Sequence, residues 1–210
     1  MHTATKNTKR LVQVALLTAI ICVLAITPLG YIPLGTIRAT TIHIPVIIGA
    51  ILLGPKVGGF LGGVFGLTSL LVNTFTPTPT SFVFTPFYRI GEVGGSLWSL
   101  VICFVPRILI GIVAGYLFRW ISKVDKTQIF ASIAAGLAGS MVNTILVMGG
   151  IYFLFGESYA AAKGMEYSAL FSLVMTVVSV NGVLEAIVAA VLATAVAKPL
   201  LHYLGTKSAR

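Results

Sequence analysis

The stretch HIPVIIGAILLGPKVGGFLGGVFG, residues 43–66, is apolar from end to end except at Gly54-Pro55-Lys56. Whether it crosses a membrane twice or forms one kinked span sets the number of helices in the chain. A lysine at mid-membrane costs ~2.5 to 3.5 kcal/mol on insertion scales, and Gly-Pro ends a helix at once. The interruption therefore reads as a tight cytoplasmic turn between two spans. Beyond it, Gly58, Gly62 and Gly66 recur every fourth residue, with Gly59 and Gly63 beside them. Such a face lets a second backbone approach closely, and packing within the bundle is its expected use. Gly111 and Gly115 form a similar small-residue pair further on, as do Ala15 and Ala19 near the start.

The rest of the chain has the same character. Of 210 residues, 57% are hydrophobic and 9% charged, with a mean hydropathy of +1.02. A soluble domain carries roughly 25% charged residues, so this is an integral membrane protein. The net charge of +9 is dispersed between apolar segments without an aromatic-interleaved patch, which argues for membrane topology and against nucleic acid. Cys22 and Cys103 lie inside apolar stretches and lack metal-type spacing, so no metal site and no redox role are expected. The opening MHTATKNTKR and the apolar run after it have the basic and apolar parts of a signal peptide. That run is long enough to span, and Pro28 stands where a cleavage site would need small residues, so it reads as the first transmembrane helix.

Six apolar segments can be placed at about residues 11–30, 41–54, 57–74, 97–119, 128–155 and 168–197. A helix needs ~20 residues to cross ~30 Å of hydrocarbon. The second segment covers only ~20 Å, so it must start further upstream, lie in thinned bilayer, or be shielded by its neighbours. The segments are too long for strands and do not alternate, which excludes a barrel. The expected fold is an all-α integral membrane protein, a six-transmembrane-helix bundle of residues 11–200 between a cytoplasmic segment 1–10 and a cytoplasmic tail 201–210. With the N-terminus inside, ten Lys and Arg fall on cytoplasmic stretches and four outside (Arg38, Arg89, Arg107 and Lys163), which favours N-in and C-in.

Polar residues inside apolar segments mark candidate sites. Asn143 shares a helical face with Ala131, Ala135 and Gly139, so its amide is expected to point into the bundle. Asn181 and Glu185, four apart, share another face. An ionisable group at such depth suggests function, and a buried helix-to-helix hydrogen bond is the competing use. Arg107, after Pro106 in SLWSLVICFVPRILIGIVAGYLF, requires an aqueous cavity, an anion, or a pairing with Glu92 or Glu185. The long polar and aromatic loop before it carries Tyr88, Arg89, Glu92 and Trp98 and has the length of a lid. Tyr88 and Trp98 serve equally well as interface anchors, and Trp120 is read as one. His43, beside Pro45, is more commonly a capping or packing residue than a ligand-binding one. No HExxH, phosphate-binding G-x-x-x-x-G-K-[ST] or GxSxG motif occurs, and a lone intramembrane carboxylate gives no acid–base pair, so the chain is not expected to be an enzyme.

The segments ATTIHIPVIIGAILLGPKVGGFLG, NTFTPTPTSFVFTPF, VPRILIGIVAG and VNGVLEAIVAA, together with Ala15-Leu16-Leu17-Thr18-Ala19, resemble the substrate-binding S components of energy-coupling factor (ECF) vitamin transporters. Within that family the likeness is to the members specific for pantothenate. The resemblance covers residues 11 to 200 and implies the following. A vitamin enters an outward-facing cavity formed by helices four to six and closed by the loops after helices one and three. Arg107 holds its carboxylate, while Asn143, Asn181 and Asn73 bond its amide and hydroxyls. Ala15 and Ala19 dock on a transmembrane coupling subunit, EcfT, and the loaded bundle topples in the lipid. The chain carries no cofactor of its own, since two partner ATPases bind the ATP. It resides, multi-pass, in a bacterial plasma membrane. Three alternatives stay open: an S component for another water-soluble vitamin, a secondary transporter using Glu185 as a proton site, and a membrane scaffold or channel.

Overall fold

The computed structural model describes residues 2–34, 37–91 and 93–203. Helix α1, His2–Ile26, already includes the polar N-terminal residues and stops ahead of Pro28, which opens a 3-10 turn, Pro28–Gly30. The first segment thus starts earlier and ends earlier than expected. Strands β1, Tyr31–Leu34, and β2, Ile37–Thr40, then pair antiparallel with Tyr31 opposite Thr40. Helix α2, His43–Leu53, and helix α3, Pro55–Phe75, follow. After a loop come the two-residue strands β3, Arg89–Ile90, and β4, Val93–Gly94, then helix α4, Leu97–Ile121. Helix α5, Ile129–Ala162, precedes α6, Tyr167–Thr176, a π-helical turn, Val177–Gly182, and α7, Val183–Tyr203. The last three form one continuous rod.

Among the described residues five helices are long and apolar enough to cross a membrane: Asn7–Ile26, Pro55–Phe75, Leu97–Ile121, Ile129–Ala162 and Tyr167–Tyr203. Helix α2 is different. Its 11 residues rise only ~16 Å. Residues His43 to Ile51 are all buried, and α1, α3, α4, α5 and α7 surround them. Of the three ways to accommodate a short segment, shielding by neighbours is the one realised. The upstream residues form a hairpin instead of further helix.

The opening turn behaves as its residues require. Gly54 adopts φ 96°, ψ 171°, a backbone state that favours glycine, and Pro55 sits in the first turn of α3, where its missing N–H costs nothing. Lys56 is exposed. The glycine face that follows is an internal seam. A Cβ on Gly58 would lie 2.7 Å from the Gly111 carbonyl oxygen, one on Gly62 would collide with the Arg107 carbonyl, and one on Gly66 would lie 3.2 Å from the Cys103 carbonyl. Cys103 Sγ in turn donates to the Gly66 carbonyl at 3.2 Å. At the turn end, a Cβ on Gly115 would meet Pro55 at 2.6 Å. Helices α3 and α4 therefore touch backbone to backbone over about three turns.

The fifth and sixth helices outrun their expected limits. Helix α5 continues to Ala162 through a bend at Phe155 (φ −134°, ψ 16°), and the last rod reaches Tyr203 through Pro199. Between α4 and α5, Asp125 accepts from Thr127 Oγ1 at 2.6 Å, Thr127 N at 3.0 Å and Ala131 N at 3.0 Å, which caps the start of α5. Slight burial raises the Asp125 carboxyl, but these hydrogen bonds outweigh it and hold the group below its ordinary value.

Candidate ligand-binding site

Two separate groups of buried apolar side chains divide the bundle. One, at the end that carries the α2–α3 turn, includes Leu61, Phe65, Ile110, Ala114, Ala135 and Ala189. The other, beneath the long loop, includes Phe82, Val83, Ile102, Val147, Phe155 and Leu170. Between them α4, α5 and the last rod turn polar at one level. On α4, Arg107 falls between Ile102 and Ile110. On α5, Ser140, Asn143 and Thr144 fall between Ala135 and Val147. On the last rod, Asn181 and Glu185 fall between Val174 and Ala189. A polar layer walled by apolar clusters on both sides is the arrangement expected of a binding site inside a bundle.

Glycine positions set the register of this layer. Gly150 of α5 faces Ile102 and Gly139 faces Ala114, so α4 and α5 run antiparallel and Arg107 stands roughly 4 Å along the axis from Asn143. Gly136 faces Ala190, and Gly182 faces the Thr144 side chain, which brings Asn181 and Glu185 to the same depth. Gly139 also faces Ile47, which puts His43, one turn up α2, level with Asn143, one turn up α5.

Arg107 is 7% exposed, and its guanidinium carbon lies 5.5 Å from the Phe65 ring centroid and 5.1 Å from that of Phe84. Its Nη1 donates to the Ile102 carbonyl at 2.7 Å. That carbonyl is the one Pro106, lacking an N–H, cannot bond within the helix, so Arg107 offsets the proline's defect. Glu185 does not serve as its counter-ion: Glu185 Oε1 accepts from the Thr40 backbone N–H at 2.7 Å, tying the β1–β2 hairpin to the last rod. Glu92, the other expected partner, lies outside the described residues. Asn143 is half-buried, and its Oδ1 is sealed from solvent without a hydrogen-bond partner among the described residues. Asn181 is half-buried in the π-helical turn.

Other expected site residues sit elsewhere. Asn73, near the end of α3, donates to the Ser69 carbonyl at 2.8 Å and accepts from Ser81 Oγ at 2.7 Å, so its amide is occupied in fastening the loop. Tyr88 packs half-buried against the loop-end cluster. Trp98 is 56% exposed on the first turn of α4, and Arg89 is exposed on β3, so neither joins the polar layer. Ala15 and Ala19 are exposed on α1.

The sequence reading missed how deeply the loop enters. Residues Ser81–Val83 form a 3-10 turn with Phe82 and Val83 fully buried, Phe82 edge-on to Phe155 at 5.9 Å between ring centroids. Ser99 Oγ donates to the Phe82 carbonyl at 2.7 Å, and Thr74 and Thr85 hydroxyls meet at 2.7 Å. Phe84 extends from this plug onto Arg107. Alternating aromatic and hydroxyl residues in PTSFVFTPF were the available signal.

A membrane bundle with an arginine-bearing polar layer under a plugged end has the form of a solute-capturing subunit. Residues 9–197 match the family described as ECF transporter, substrate-specific component, and the chain belongs to that family of multi-pass transporter subunits rather than enzymes. Two relatives carry a particular name. The pantothenic acid transporter PanT of Lactococcus lactis subsp. cremoris is 39% identical over 165 residues, 78% of either chain. The pantothenate transporter PanT of Leuconostoc mesenteroides subsp. mesenteroides is 30% identical over 205 residues, 93% of either chain.

Proposed function

We propose that this S component captures pantothenate outside a bacterial cell and delivers it through the plasma membrane, docked on the coupling subunit EcfT, with two ATPases binding the ATP. The observation that carries the reading is Arg107. It is a permanent cation in the polar layer, held between an α3 ring and a ring of the plug, where the carboxylate of an acid is its natural complement. Asn143 and Asn181 lie within reach of the same level for the amide and hydroxyls of the vitamin. The two relatives named for pantothenate support the choice of acid.

The proposal includes six spans with both termini in the cytoplasm. Support comes from the ten-to-four distribution of Lys and Arg, and from Gly54, whose space is filled by the Arg119 guanidinium, so that two basic groups flank the α2–α3 turn at one end. Shielded α2 plus its hairpin then acts as the second span.

Mass spectrometry of the small molecule that copurifies with the detergent-solubilised chain tests the reading. Pantothenate is expected, and in vesicles uptake is expected only with the coupling subunit and ATPases present. A different vitamin in the purified protein overturns the choice of pantothenate. Uptake by the chain alone that collapses with the proton gradient overturns the mode of transport.

A further inference from the structure

Near the level where α2, α5 and α7 pack together, three buried polar groups have little to bond. Ser140 is 1% exposed and its Oγ has no hydrogen-bond partner among the described residues. The same holds for Asn143 Oδ1, one turn along α5. His43 is 1% exposed, and neither ring nitrogen makes a well-formed hydrogen bond, though the Thr40 backbone lies beside the ring. The registers given above put His43 level with Asn143, and put Ser140 on the α5 face of Gly136 and Thr144, which meets the last rod. Leaving such groups unsatisfied costs stability, and a native bundle retains them when something else bonds them.

We propose that His43, Ser140 and Asn143 form the inner end of the ligand site, an uncharged hydrogen-bonding set that recognises the hydroxyl-bearing end of the ligand. This rests on the pantothenate reading. The chemistry is complementary to that of Arg107: an amide oxygen accepts, a hydroxyl does both, and an uncharged imidazole offers one donor and one acceptor. Two alcohols satisfy both the donors and the acceptors of such a set, whereas a carboxylate, which only accepts, leaves the Asn143 oxygen and one imidazole nitrogen unbonded. Arg107 stands nearer the plug, roughly 4 Å along the axis from Asn143 and roughly 8 Å from Ser140. An acid with its carboxylate at one end and hydroxyls at the other therefore enters hydroxyls first. Glu185 stands at the same depth as Ser140 and Asn143, beside this set, with one oxygen already bonded to the Thr40 backbone N–H, and its carboxylate disfavours a second anion there.

The test uses the purified chain in detergent, wild type against Ser140→Ala and His43→Leu, with pantothenate and its analogue lacking both hydroxyls as probes. Calorimetry gives affinities, and intrinsic fluorescence gives the melting temperature without ligand. Each substitution is expected to weaken pantothenate about two- to tenfold while leaving the analogue nearly unchanged. The ligand-free melting temperature is expected to hold or rise, because no protein hydrogen bond is lost. Equal weakening of both probes overturns the proposal, as does a lowered ligand-free melting temperature, which means that the groups are paired within the fold. If wild type takes no pantothenate, the vitamin reading fails separately. The melting temperatures then decide: values held or raised in both variants support a ligand-receiving set, and a fall overturns it.

Discussion

Pro106 and Arg107 are one device. The proline removes the N–H that would bond the Ile102 carbonyl, and the next side chain folds back to bond it instead, which fixes a guanidinium where apolar residues run on either side. Of the two rings that flank it, Phe65 is placed by the glycine seam, since Gly62 lets the Arg107 backbone close onto α3, and Phe84 comes from the plug. Gly62→Ala is therefore expected to destabilise the chain by roughly 1 to 3 kcal/mol through overpacking against backbone. Gly63→Ala, where nothing lies within 4 Å, should be neutral or stabilising by about 1 kcal/mol through helix propensity. Detergent melting curves of the pair check this, and equal effects would contradict the seam. At this scale the sequence was readable wherever a strongly polar residue interrupts an apolar run, as at Arg107, Asn143 and Glu185. It was silent at Ser140, because a serine in a transmembrane helix usually bonds its own backbone and gives no sign when it does not.

The elements at the loop end are held by few, specific bonds. The hairpin is fastened to the last rod through Glu185 and Thr40, and the plug is fastened through Asn73, Ser81 and Ser99. Glu185→Ala should expose the Thr40 amide and raise its hydrogen-exchange rate about ten- to a hundredfold, while Glu185→Gln, which keeps an acceptor, should raise it less. An unchanged rate in the Ala variant would show that the hairpin is held by other means. At the opposite end, Asp125 caps α5 with its carboxyl below the ordinary value. Its contribution is fully present above the unfolded value of ~3.9 and is lost as pH falls through the lower folded value. Asp125→Asn should thus melt lower at neutral pH and lose stability less steeply on acidification, and parallel pH profiles would exclude the cap. The five long helices were legible because apolar runs of that length are hard to mistake. The hairpin and plug were not, since short strands and a buried 3-10 turn have no periodicity of their own, and the burial of α2 depends on five neighbours that no local window contains.

The whole molecule is a bundle whose core is split by a polar layer, with Leu11, Val12, Leu16 and many other large apolar side chains facing outward as a lipid-embedded surface requires. On that surface Ala15 and Ala19 leave a shallow strip along α1 suited to close helix contact. Replacing both with Trp should abolish uptake by the assembled transporter and leave pantothenate binding by the isolated chain intact. Loss of binding as well would place the strip in the fold of the chain itself. The central claim, an anion-binding Arg107 in the polar layer, is tested most directly by comparing pantothenate with pantothenol, which carries an alcohol in place of the carboxylate. Wild type should prefer the acid, and Arg107→Ala should lose ~1.5 to 3 kcal/mol for it, roughly tenfold to somewhat over a hundredfold, while binding of the alcohol changes little. Because the readout is a ratio within each variant, a general loss of stability does not move it. Near-loss of the preference in Arg107→Ala is the predicted result, and an unchanged preference would contradict the account.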